Sequence, residues 1–121
     1  MNHRNAKPRL GRKTPARKAL VRNLLTSLVI HGHLKTTRPR AKVISAQFDE
    51  LITGVRRQKE MREKIRFAKK VLFTEDSQRA FFENILPKVE TRKSGFTRST
   101  LLGPRKGDAA EMVHLEICLE K

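Results

Sequence analysis

The residues of this chain with the most chemistry to offer are its cations. Residues 1–48 hold 12 Lys and Arg and no Asp or Glu, and the first acid is Asp49. The remaining 73 residues hold 16 basic and 12 acidic groups, so +12 of the formal net charge of +16 falls in the first 48. Charge segregated this way is self-repulsive unless a polyanion offsets it. Guanidinium and ammonium groups on an extended arm and at helix starts suit phosphate oxygens, through contacts that position a nucleic acid without reading its sequence. A sequence pI near 11.2 is the electrostatic footprint of such a binder.

Other chemistry is sparse. His31 and His33 flank Gly32 and could share a metal, but no Cys, Asp or Glu stands nearby to complete a site. The single cysteine, Cys118, allows neither an internal disulfide nor a multi-cysteine zinc site, and a small residue in a sheet is the simpler reading of it. The glycines fit neither a P-loop nor a dinucleotide fingerprint. The acids fall mostly on expected helix faces or strand exteriors, not in a pair tuned for proton transfer. With six Phe and no Trp or Tyr, the chain lacks the aromatic complement of an RRM or OB stacking platform. It shows no helix-turn-helix or zinc finger. No apolar run approaches the roughly 20 residues that span a bilayer. The start lacks the Ser richness of a transit peptide.

The elements that must position the cations follow from periodicity. Residues 1–13 have no hydrophobic period and form a basic extended arm bearing His3, Arg4, Lys7, Arg9, Leu10, Gly11, Arg12 and Lys13. Thr14-Pro15 signals a helix start, with Thr14 as cap, and Gly32 a stop. Leu20, Leu24 and Leu28 with Val21, Leu25 and Val29 give that helix a wide apolar stripe, while Arg17, Lys18 and Arg22 lie elsewhere on it. Residues 33–37 read as a short extended segment. A second helix is expected from about Pro39 to Gly54, with Ala41, Ile44, Phe48, Leu51, Ile52 and Val55 inward and Arg38, Arg40 and Lys42 at its start. Residues 56–73 read as a charged helix with a solvated face and a Glu60–Lys64 pair. Thr74 caps a shorter helix that Pro87 ends. The period then becomes two: Val113, Leu115, Ile117 and Leu119 alternate with Met112, His114, Glu116 and Cys118, and 96–102 is the antiparallel partner. The turn 103–108 puts Arg105 and Lys106 at a tip, and Arg92 and Lys93 lie in a second basic turn before the first of these strands. The expected fold is α+β: an N-terminal basic arm, about four helices, and a C-terminal antiparallel strand pair joined to a short central strand, with 14–121 as a single compact domain.

At this point the residues resemble a known family. His3-Arg4 with Leu10-Gly11-Arg12, then Arg22-Asn23-Leu24 and Ser27-Leu28, are similar to the start and first helix of the bacterial large-subunit ribosomal protein seventeen (L-seventeen) family. Lys35-Thr36-Thr37, Arg40-Ala41-Lys42 and Leu51-Ile52-Thr53 resemble its TT-x-x-KAK-to-LIT signature, with Arg40 in place of the usual first Lys. Arg92, Gly95-Phe96-Thr97-Arg98, Leu102-Gly103, Arg105, Gly107-Asp108, Ala110, Met112 and Glu116 continue the likeness. Ser94 stands for a common Gly, and Phe96 for the usual Tyr. The stretch 56–90 matches weakly.

The resemblance implies a structural component of the large (50S) ribosomal subunit, in the cytoplasm. It would bind and stabilise 23S rRNA beside other ribosomal proteins near the peptide exit region, without catalysis of its own. By matching position it carries an rRNA role onto His3, Arg4, Leu10, Gly11, Arg12, Arg22, Asn23, Thr36, Thr37, Lys42, Arg98 and Arg105. Charge placement alone adds Lys7, Arg9, Lys13, Arg17, Lys18, Lys35, Arg38, Arg40, Arg92, Lys93 and Lys106. No cofactor, metal, membrane or obligate homo-oligomer is expected. Two rival classes stand beside this reading: an RNA-processing enzyme, which would need a cofactor site or an acid–base cluster, and a nucleoid-type DNA binder, which would not prefer rRNA to duplex DNA.

Overall fold

The computed structural model describes residues 10–90 and 92–119. The arm residues His3, Arg4, Lys7 and Arg9 lie outside that range. Helix α1 spans Thr14–His31, strand β1 His33–Thr37, helix α2 Arg38–Arg57, α3 Met61–Lys69 and α4 Glu75–Ala80. A π-helical turn, Phe81–Ile85, and a 3₁₀ turn, Leu86–Val89, continue from α4; strands β2 (Thr97–Pro104) and β3 (Glu111–Ile117) complete the chain. The sheet is antiparallel with order β1-β3-β2. The short strand does join the C-terminal pair, and it joins at an edge, leaving β3 in the middle.

Alternation along β3 sorts the sheet into two faces. Val113, Leu115 and Ile117 are buried toward the helices, and Leu34 and Thr36 of β1 stand opposite Leu115 and Val113 on that same face. Leu119, expected to continue the buried row, lies past the strand and is exposed. One hydrophobic cluster holds the fold together, built on Phe48, Phe81, Phe96, Leu25, Leu28, Ile44, Leu51, Ile52, Leu72 and Leu115. Each such side chain, taken fully out of water, contributes about 1.5–3 kcal/mol before the cost of ordering the chain.

All six apolar positions expected to face inward on α2 are buried. On α1 the buried residues are Leu25, Thr26, Leu28 and Val29; Leu20 is only half-buried and outside the cluster. The first turns of α1 therefore stand away from the core. Thr26 earns its place among apolar neighbours by donating its hydroxyl to the Arg22 carbonyl (2.8 Å) and accepting from the Phe73 N–H (3.4 Å). Gly32 ends α1 in the left-handed conformation (φ 79°), its N–H donating to the Leu28 carbonyl, while its own carbonyl accepts from the Ile117 N–H. One glycine thus stops the helix and ties it to the middle strand.

Several boundaries differ from the sequence expectation. Thr14 is already helical, and the capping position is Lys13, which makes no side-chain cap bond. Gly54 does not end α2, which runs on to Arg57. A Cβ at Gly54 would overlap the Phe67 ring, so this glycine serves the packing of α3 onto α2. Residues 58–60 separate the two helices, and among the described residues Glu60 pairs with Arg62, not Lys64. Met61 is exposed and Ile65 half-buried, while Ala68 and Leu72 are buried. Pro87 does not end a helix; it occupies the first turn of the 3₁₀ segment, where a missing N–H costs nothing. Thr74 does cap α4, accepting from the Ser77 N–H at 3.2 Å.

Candidate nucleic-acid interface

The approach to α1 begins with a reversal. Leu10 and Gly11 have successive positive φ values of 57° and 65°, and Lys13 then enters the helix from an extended conformation. The first turn of α1 contains no acid. Its unpaired N–H groups and the positive end of the helix dipole therefore meet Arg12, Lys13 and Lys18, all exposed, and Arg17, half-buried. Helix α2 repeats the arrangement. Its capping residue Thr37 makes no side-chain cap bond, its first turn lacks an acid, and Arg38, Arg40 and Lys42 cluster there. A helix whose first turn holds several cations and no acid is poorly arranged in isolation and well arranged for an external anion.

The second surface is the sheet face turned away from the core. The register sets His33 of β1, Glu116 of β3 and Arg98 of β2 in one row, and Lys35, His114 and Thr100 in the next. Thr37 and Met112 follow. No helix among the described residues covers these positions, and His33, Lys35, Arg98 and Thr100 are exposed. The His33 and His114 rings stack at 5.6 Å, and His114 Nε2 lies 3.7 Å from Glu116. The face thus joins Lys35 to Arg98 across three strands with a two-ring ledge between them, a flat surface suited to a phosphate backbone and an adjacent sugar or base.

Some expected contact residues have work inside the fold. The Arg22 guanidinium lies 3.8 Å over the Phe73 ring, and its Nε approaches the Val71 carbonyl at 3.5 Å. It ties the start of the core to the end of the third helical region. Asn23 beside it is exposed. Thr36 is buried, offering no side-chain surface to a ligand, and Thr37 is half-buried. Arg38 pairs with Glu111 at 3.0 Å, an exposed pair of little stabilising value. Arg92 donates to the Gly95 carbonyl at 3.3 Å, and Lys93 is exposed next to it.

At the β2–β3 tip, Arg105 grips Asp108 with two guanidinium bonds, one of 3.0 Å through Nε. The Asp108 carboxylate also accepts from the Ala110 N–H, and backbone bonds close Arg105 on Ala110 and Ala109 on Arg105. Arg105 holds Asp108 well below the usual carboxylate range, at about 2, and Asp108 in turn pushes Arg105 up. The tip is a tied loop, with Lys106 exposed upon it. Arg12, Lys13, Arg17, Lys18, Lys35, Arg40, Lys42, Lys93, Arg98 and Lys106 have no side-chain partner among the described residues.

Sequence reasoning missed Arg56. Its guanidinium donates to the Val89 and Arg92 carbonyls and lies 5.1 Å from the Phe96 ring centre. Those partners are at least 33 residues away, so no local signal marks it. It missed His33 as part of a face as well. The alternation of β3 already put His114 and Glu116 outward, but only the pairing register brings His33 beside them.

Among the described residues no group of three His, Cys, Asp or Glu is placed to hold a metal. His31 is exposed, and Cys118 is half-buried with its thiol free. Asp49 is pushed up by burial, partly offset by a hydrogen bond from the Phe96 backbone. It lines a groove of about 600 Å³ between α2 and β2, whose floor is Val113 and Leu115 and whose rim carries Arg38, Lys42 and the exposed Leu101. No second carboxylate, histidine or cysteine joins Asp49 in that lining. No helix among the described residues is long and apolar enough to cross a membrane.

Comparison with known proteins adds the remaining finding. The family model described as Ribosomal protein L17 matches residues 20–118. The "Large ribosomal subunit protein bL17" of Clostridium perfringens (strain 13 / Type A) is 40% identical over 111 residues, covering 90% of this chain and 95% of that protein. Proteins of the same name from Dictyoglomus thermophilum and Desulfitobacterium hafniense (strain Y51) are 38% and 41% identical, over 97% and 90% of this chain and 99% and 96% of their own lengths.

Proposed function

This chain belongs to the ribosomal protein L17 family, and from that premise we propose that it binds and stabilises 23S rRNA as a structural constituent of the large ribosomal subunit. It works in the cytoplasm, on the ribosome, beside other large-subunit proteins near the peptide exit region. It supports subunit assembly and translation by holding RNA, and it is not an enzyme. The observation that carries the RNA reading is the pair of helix starts whose own first turns hold no acid, each ringed by cations, of which Arg38 is paired with Glu111. The outer sheet face, with Lys35 and Arg98, extends the same surface chemistry, and the basic arm of residues 1–9 adds to it from the sequence side. Within this proposal Arg12, Lys13, Arg17, Lys18, Arg40 and Lys42 meet phosphates directly. Thr36, Arg22 and Arg105 act by holding the framework that presents those groups.

The reading is tested by salt dependence. If roughly six of these cations each neutralise a phosphate, binding of the full chain to 23S rRNA fragments follows a log–log salt slope of about −4 to −5. Replacing Arg17, Lys18, Arg40 and Lys42 by Gln makes that slope shallower by about 3 while helical circular dichroism is kept. A parent slope near zero, or equal affinity for duplex DNA and rRNA at one salt concentration, defeats the proposal.

A further inference from the structure

Helix α3 carries charge that the surfaces above do not use. In sequence Glu60 and Glu63 mingle with Arg62, Lys64, Arg66 and Lys69, the pattern of an ordinary solvated face. Folding brings three of these cations together, with Glu63 at the edge of their face. The Phe67 ring seats on Gly54 and Ala68 is fully buried, which fixes the inward side. At about 100° per residue, Arg62, Arg66 and Lys69 then fall within about 60° of one another on the opposite side. All three are exposed, and with half-buried Ile65 they line a concave patch of about 430 Å³. Arg62 reaches Glu60 only at 3.8 Å on an open surface, and Arg66 and Lys69 have no side-chain partner among the described residues. Like charges three and four apart weaken a helix, and nine residues is short for one to stand alone. The face is a cost to the isolated protein that an anion removes.

Its position matters as much as its charge. Gly54, where α3 is seated, lies near the end of α2, and the Arg38–Arg40–Lys42 cluster lies at the beginning. At roughly 1.5 Å per residue the two are about 20 Å apart along the helix axis. We propose that the protein bridges two separate RNA strands: the start of α2 holds one phosphate backbone, and the Arg62–Arg66–Lys69 face holds a second, with Ile65 against a ribose. Cations strung evenly along a helix match evenly spaced phosphates, and α2 is the rigid strut that sets their spacing. This rests on the reading of the protein as an rRNA binder.

The test uses the full chain carrying Arg62→Gln, Arg66→Gln and Lys69→Gln together, with Arg62→Lys and Arg66→Lys as the charge-keeping control. On 23S rRNA fragments the Gln variant shows a salt slope shallower by about 2 to 3 and affinity lower on the order of 10- to 100-fold at about 0.1 M salt. Hydroxyl-radical footprinting shows two separated protected strands with the parent and loss of one with the variant. The control keeps both, and all three keep the same helical circular dichroism. Unchanged slope and footprint in the Gln variant overturn the bridge while leaving the rRNA reading intact. Failure of the parent to bind rRNA defeats that reading and the bridge with it. Normal RNA binding with impaired uptake into subunits assigns the face to an acidic protein neighbour, and also overturns the bridge.

Discussion

At the scale of single residues, two glycines of similar sequence context do opposite things. Gly32 is legible because a left-handed stop after an apolar stripe needs only local reasoning. Gly54 looks like a second stop and is a packing site, because the Phe67 ring that excludes a Cβ comes from the next helix. Replacing Gly54 by Ala therefore lowers stability by about 1–3 kcal/mol despite the better helix propensity of alanine. The loss shrinks in a Phe67→Leu background, which a double-mutant cycle in urea measures. Arg22 and Arg56 were equally opaque: each reads as one more cation, yet each is committed to a ring and to carbonyls far along the chain. Asp108 supplies a pH prediction. Its folded pKa lies below the ordinary value of 3.8, so its tie to Arg105 is complete above about pH 4 and is lost as the pH falls through about 2. Carbon-detected NMR should find the Asp108 midpoint near 2 and, in Arg105→Gln, raised toward 3.8 but still held below it by the Ala110 N–H; an Asp108 midpoint near 3.8 in the parent would refute the tied loop.

At the scale of elements, caps and periods were legible where both partners are close in sequence. The six inward positions of α2, the strand period of β3 and the Thr74 cap all belong to this class. Removing the Thr74 hydroxyl (Thr74→Ala) leaves the Ser77 N–H without its acceptor and costs about 1 kcal/mol, read as a lower urea midpoint at unchanged slope. Thr14 invites the same expectation and does not meet it. It is inside α1, so Thr14→Ala should shift the midpoint by only a few tenths of a kcal/mol. Pro87 misled because proline stops an α-helix but starts a 3₁₀ turn equally well, and the π-helical turn before it is not written in any short pattern. Residues 56–73 read as one solvated helix; the break at 58–60 and the clustering of three cations on one side of α3 appear only once Phe67 is seated on α2.

At the scale of the whole molecule, the uneven charge noticed in the sequence becomes an arrangement of surfaces around one small core. Cations crowd the starts of α1 and α2, spread over the outer sheet face, and recur on α3, while the largest apolar side chains gather on the other sides of the same elements. Composition alone raised the expectation of a polyanionic partner, and the family was legible from spaced motifs in residues 3–54 and 92–116. The faces themselves were not, because a face is a product of register and packing between distant segments. The central claim is that this protein is an rRNA-bound constituent of the large subunit. It is tested most directly by sucrose-gradient sedimentation of lysate from growing cells, with the protein quantified across the fractions. The expected result is near-stoichiometric recovery in the large-subunit and whole-ribosome peaks, with release on degrading the RNA. Recovery in the free soluble pool alone would contradict it.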